Sequence, residues 1–194
     1  MFKEFSEYLE KIDGVDYDFV EEFIEGCKYQ IIPKGSFLLK EGGYLKDIFW
    51  VGQGLLVKYS IDTEGKKHVI QFAPENWWIA EREAVFLGNP SKYYIESIEE
   101  TKVISFDEEL VLKLHKKYPT FNKFHYRLLQ NHIEHLTTRI LFLLSLNAEE
   151  KYLQFIKIYP DLSLRVPLDM IASYLGIAQE SLSRVRKELS HKRV

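Results

Sequence analysis

The residues best suited to specific chemistry lie near the C-terminal end of the sequence. Gln179, Glu180, Ser183, Arg184 and Lys187 recur on one side of a helical period. Leu182, Val185 and Leu189 fall on the other. Arg offers a fork to guanine, Gln pairs with adenine, and Glu accepts from the cytosine amino group. Ser181, Arg186 and Lys187 are placed to hold phosphates, which fixes a helix on a duplex without reading sequence. A polar helix face becomes a reading head only if something presents it. The preceding stretch supplies that support. Pro167 suits the start of a helix, and Ile171, Ala172 and Leu175 make one apolar face. Gly176 ends the helix where a left-handed backbone is cheapest without a Cβ. Two short helices around a glycine turn form a helix-turn-helix. Small Ala172 lets the second helix cross close to the first.

Charge is distributed to match. The 194 residues carry a formal net charge of −3. Residues 151–194 hold eight Lys and Arg against four acids, and residues 1–150 hold 18 against 25. An acidic body with a basic end is a local footprint for nucleic acid. Cys27 is the one cysteine, which excludes an internal disulfide and cysteine-ligated iron–sulfur clusters. No stretch reaches the roughly 18 apolar residues that span a bilayer. The acidic, amphipathic Met1-Phe2-Lys3-Glu4-Phe5 does not read as a signal peptide. The expected location is the cytoplasm, without membrane association.

The elements that must position the reading head come earlier. Residues 2–12 and 16–27 read as helices, with Phe5, Tyr8, Leu9 and Ile12 on one face of the first. From Tyr29 the period changes to two. Short β-rich segments run to Phe106, separated by turns such as Pro33-Lys34-Gly35, Gly52-Gln53-Gly54 and Asp62-Thr63-Glu64-Gly65. That spacing predicts an antiparallel jelly roll or barrel, which usually encloses a pocket. Helices follow over 107–118 and from about 120 to 146. On the longer one, Leu129, Ile133, Leu136, Ile140 and Leu143 alternate steps of four and three. This is a coiled-coil seam and predicts a homodimer. Residues 149–159 read as a helix with Tyr152, Phe155 and Ile156 inward. Leu162-Ser163-Leu164-Arg165-Val166 reads as a short strand. The expected class is α+β, in three parts: a β-roll sensor over 1–118, a dimer helix over 119–146 and a helix-turn-helix domain over 147–194.

This order of parts resembles the Crp/Fnr superfamily of bacterial transcription regulators. The resemblance rests on Lys34-Gly35, Glu41-Gly42, Gly52 and Gly65 in the roll. It rests also on Ile171-Ala172-Ser173-Tyr174-Leu175-Gly176-Ile177 and Glu180-Ser181-Leu182-Ser183-Arg184 at the end. It implies that Glu180 and Arg184 read bases. It further implies a palindromic double-stranded DNA target with half-sites about 34 Å apart, action through RNA polymerase and a small-molecule effector. Gln179 stands where cyclic-AMP-responsive members often have Arg, so the DNA site is expected to differ from theirs. Only five residues follow Leu189, too few for the β-hairpin wing that often comes next.

The pocket departs from the pattern. Cyclic-nucleotide-binding members carry Gly-Glu, a short helix and then Arg-Ser or Arg-Thr. Here the matching stretch runs from Ile79 to Lys92. Glu81 matches the ribose-binding acid, Ala80 replaces the glycine, and Ser91-Lys92 occupy the Arg-Ser position. Lys cannot supply the bidentate fork of Arg to a buried phosphodiester. These four residues are the candidate effector pocket. Its ligand is unknown, and cyclic AMP is not expected. His125, His132 and His135 are spaced seven and three apart. They read as a polar helix edge, not a metal site. No nucleophile–base arrangement or phosphate loop marks an enzyme, and His68 is the only histidine on an expected strand, too few for a cupin site. The alternatives are a ligand-sensing roll acting through protein partners and a cyclic-nucleotide-responsive regulator.

Overall fold

The computed structural model describes residues 1–12 and 18–192. Residues 16 and 17, the first two of the helix expected over 16–27, lie outside the described residues. Helix α1 (Phe2–Glu10) buries Phe5 and Leu9, and α2 (Val20–Gly26) buries Phe23. Among the described residues eight strands follow: β1 (Lys28–Ile32), β2 (Phe37–Leu39), β3 (Asp47–Gln53), β4 (Leu56–Ile61), β5 (Lys67–Ala73), β6 (Trp78–Ile79), β7 (Tyr94–Ser97) and β8 (Thr101–Asp107). Helix α3 (Arg82–Leu87) separates β6 from β7. The strands form two four-stranded antiparallel sheets, ordered β1-β8-β3-β6 and β2-β7-β4-β5. This is the expected roll.

Alternation along the strands explains why the roll has two cores. Phe49 and Val51 on β3 and Val103 on β8 join Ile32, Leu39, Leu56 and Ile95 inside the roll. Trp50, Ile104 and Phe106 point to the other face and join Phe5, Leu9, Phe19, Phe23, Phe121 and Phe124. Adjacent residues on a strand face opposite ways, so one strand serves both clusters. Burying each such side chain stabilises by about 1.5–3 kcal/mol. Gly54 has a φ of +97°, and a Cβ there would lie 2.6 Å from the Glu100 carbonyl oxygen. Only glycine fits that turn.

Asp107 accepts from the Leu110 N–H at 3.0 Å and so starts α4 (Glu108–Lys117). Helix α5 (Pro119–Ser145) is the long helix read from the sequence. Asn147 and Glu150 form a reciprocal cap on α6 (Ala148–Ile158), satisfying two otherwise orphaned N–H groups. Helices α7 (Leu162–Arg165), α8 (Leu168–Leu175) and α9 (Gln179–Lys192) complete the described residues. Helix α7 corrects the strand expected at 162–166. The alternation of Leu162, Leu164 and Val166 suggested a period of two. Yet Leu162 and Val166 are the buried pair while Leu164 is exposed, and the Val166 N–H reaches the Leu162 carbonyl at 3.0 Å. The working spacing is i, i+4, that of a helix.

The chain divides into two compact units. The first holds residues 1–60 and 71–130, and the second holds 61–70 and 131–194. The division falls inside α5 and assigns the tip of the β4–β5 hairpin to the second unit. Among the described residues, no helix is long and apolar enough to cross a membrane.

Candidate nucleic-acid interface and effector pocket

In the second unit, α8 carries Met170, Ile171, Ala172, Tyr174 and Leu175 into a buried core. Gly176 follows with a φ of +63°, and its N–H closes on the carbonyls of Ala172 and Ser173. That left-handed turn sends the chain into α9. Leu182 and Val185 anchor α9, and Ala172 beneath is itself buried. The anchoring leaves Gln179, Glu180, Ser183, Arg184 and Lys187 exposed, with Ser181 and Arg186 half-buried at the margins. Glu180 and Arg184 lie one turn apart, so their side chains project from one face. Among the described residues neither enters an ion pair or side-chain hydrogen bond.

The pocket residues of the first unit are arranged differently. Glu81 is buried, but it is not open to a ligand. The Lys58 ammonium, from β4, forms an ion pair with its Oε2 and is itself largely buried. The same ammonium donates to the Ala80 carbonyl at 3.2 Å and lies 4.5 Å from the centre of the Tyr93 ring. Ser91 is buried, and its hydroxyl is spent within its own loop. It accepts from the Tyr93 N–H at 2.9 Å and donates to the Tyr93 carbonyl at 3.2 Å. Lys92 is exposed. The four expected pocket residues therefore do not converge on a vacant anion site. Nothing near Lys58 in sequence marked it as the partner of Glu81, 23 positions away. A cyclic nucleotide asks for a free carboxylate toward its ribose and a fork of donors toward its phosphate. The residues present do not fit it. A surface cleft of about 350 Å³ lies elsewhere, lined by Met1, Glu4, Tyr29, Gly52, Gln53 and Lys102.

The long helix carries an apolar stripe. Ile133, Ile140 and Leu144 are 54%, 56% and 82% exposed. Leu129 and Leu136 are half-buried. Leu143 turns inward: its side chain lies against Gly176 and lines a small slot with Phe155 and Leu175. Leu144 and exposed Tyr126 extend the stripe without having been singled out in the sequence.

The histidines separate. His125 pairs with His115, Nδ1 to Nε2, at 2.7 Å, and burial holds its pKa down at about 4. His135 is also lowered, chiefly by burial, and lies 3.4 Å from the Tyr159 hydroxyl. Cys27 is half-buried, and desolvation pushes its thiol up to about 12, the opposite of a reactive thiolate.

Known proteins carry the same architecture. Residues 29–118 match the family model described as the cyclic nucleotide-binding domain. An anaerobic regulatory protein of Pasteurella multocida is 24% identical over 165 residues, covering 79% of this chain. The chain spans 60% of that relative's length. FixK2 of Bradyrhizobium japonicum superposes with a TM-score of 0.75 at 16% identity, covering 87% of this chain and 86% of that one. The catabolite activator protein of Thermus thermophilus gives 0.57 at 16% identity, covering 96% and 88%. The family model bears out the roll over residues 29–118, and the solved structures bear out the fold expected from the sequence over 87% and 96% of this chain.

Proposed function

We propose that this chain, of Crp/Fnr type in fold and with a cyclic nucleotide-binding domain at residues 29–118, is a sequence-specific DNA-binding transcription regulator. One observation carries the reading. Helix α9 is anchored by Leu182 and Val185 and directs Gln179, Glu180, Ser183 and Arg184 outward beyond the Gly176 turn. That is the presentation by which a second helix enters the major groove. Arg184 would take a guanine edge, with Glu180 beside it accepting from cytosine. Ser181, Arg186 and Lys187 would hold the backbone.

The division of labour is a roll over 1–118, a dimer helix over 119–146 and a reading domain over 147–194. Two copies would pair along the α5 stripe of Ile133, Ile140 and Leu144 beside Leu129 and Leu136. A pair of reading helices then calls for a palindrome with half-sites about 34 Å apart. RNA polymerase is the partner such a regulator would address. Control by a small molecule would use a ligand other than a cyclic nucleotide, because Lys58 already occupies Glu81.

Selection of bound duplexes from a random library tests the reading. A palindromic motif is expected, and recovery of no motif would end it. Ile133→Asp with Ile140→Asp should give monomers by light scattering and abolish palindrome binding. An unchanged dimer mass would remove the stripe from the interface.

A further inference from the structure

The β4–β5 hairpin ends in a tip, residues 61–70, that belongs to the second unit. Strand β5 is the edge of its sheet, and an edge presents N–H and C=O groups with no strand partner. At the tip, side chains take the place of a strand. Ser173 Oγ, on α8, accepts from the Val69 N–H at 2.9 Å and donates to the Lys67 carbonyl at 2.8 Å. One hydroxyl thus meets the donor and the acceptor that a neighbouring strand would have met. Arg139, on α5, continues along the same edge. Its Nη2 donates to the Val69 carbonyl at 2.9 Å, and its Nη1 donates to the Ile70 carbonyl.

The same guanidinium also grips α8. Nη2 donates to the Tyr174 carbonyl at 3.0 Å, one of the last carbonyls of a helix, which lack partners within it. The guanidinium carbon lies 4.0 Å from the centre of the Tyr174 ring. Arg139 therefore joins three backbone carbonyls from two elements. A lysine, with one point donor group, cannot reproduce that fork. The tip is itself braced. Asp62 Oδ1 accepts from the N–H groups of Glu64 and Lys66, each at 2.9 Å, and Oδ2 lies 2.6 Å from His68 Nε2. A tip braced by Asp62 and held at four of its backbone atoms fixes the helix that grips it.

We propose that Ser173 and Arg139 are positioning residues for DNA binding. They clamp the edge of the β4–β5 hairpin tip to α8 and so set the orientation from which α9 reads. This rests on the DNA-binding reading of α9. Neither residue belongs to the reading face, so loss of the clamp should lower affinity without changing the motif.

The test uses the full chain and the duplex selected by the wild type. Ser173→Val removes the hydroxyl at little change in shape, and Ser173→Thr keeps it. Val is expected to weaken binding about tenfold, within the range of coupling between sites, and to speed amide exchange at Val69. Thr should restore both. Arg139→Lys should behave as Ser173→Val does, with the selected motif unchanged. A side chain that merely filled space would be served as well by Val as by Thr. Fast exchange at Val69 with wild-type affinity would overturn the proposal, and so would equal affinity for Val and Thr. A wild type that binds no duplex would instead overturn the DNA-binding reading, and this one with it.

Discussion

Glu81 and Glu180 are both carboxylates that the resemblance assigns to ligands, and the two regions treat them in opposite ways. Glu81 is buried and paired with Lys58, whose ammonium also holds the Ala80 carbonyl and faces Tyr93. Glu180 is exposed beside Arg184 on a helix whose other face is anchored. One site has its charge neutralised from within the chain. The other leaves its charges exposed to solvent. A shared fold therefore does not carry a shared ligand. In this chain the acid of the β-roll is part of the core, while α9 presents its polar side chains to solvent.

The largest effect should come from breaking the internal pair. Removing one partner of a buried ion pair leaves an uncompensated charge, at about 3–5 kcal/mol. Lys58→Met is expected to lose that much in urea unfolding, and Lys58→Met with Glu81→Leu should recover most of it. If Lys58→Met is silent, Glu81 is not locked and the pocket is open to a ligand after all. Next comes the open side of the comparison. Arg184→Ala should cost about 1–3 kcal/mol per half-site and relax preference at one base pair, as measured by repeating the library selection. An unchanged motif would mean that α9 does not read through Arg184.

The two sites were unequally legible, for a physical reason. The helix-turn-helix is local: Ile171, Ala172, Gly176, Leu182 and Val185 lie within 15 residues, and period and turn chemistry show them directly. The roll was legible for the same reason, since alternation and turns are short-range signals. The Lys58–Glu81 pair joins a strand to a loop 23 positions on, and the bonds of Ser173 to the hairpin span more than 100. No periodicity encodes such contacts. Helix α7 was hidden by a sequence that satisfies two periods at once. On α5 the heptad rhythm located the apolar stripe, but burial divides Leu143 from Leu144 in a way that spacing alone does not.

Titration sharpens the contrast within the first unit. His125 is held at about pKa 4 by burial first, then by the charges of His115 and Arg82. An ordinary histidine titrates near 6.5, so between these values the unfolded chain binds more protons than the folded one. Stability should therefore fall as pH drops from about 6.5 to about 4 and level off below. His125→Gln should flatten that slope in unfolding curves taken across the window. An unaltered slope would place the proton uptake elsewhere, with His135 the other lowered histidine.

The smallest effect separates gripping from reading. Lys187 is exposed on α9, one turn beyond Ser183, and Lys meets phosphate as a point charge. Each phosphate neutralised releases condensed counterions, so log K falls with log salt at a slope of about −0.9 per contact. Lys187→Ala should weaken binding to every sequence alike and reduce the salt slope by about 1 per half-site. Arg184→Ala should instead change the motif as well as the affinity. Titrations of both variants against matched and mismatched duplexes at several salt concentrations distinguish the two roles. If Lys187→Ala shifts the preferred base while the salt slope stays fixed, Lys187 belongs to the reading set, and the boundary drawn on α9 between base and backbone contacts must move one turn toward its C-terminal end.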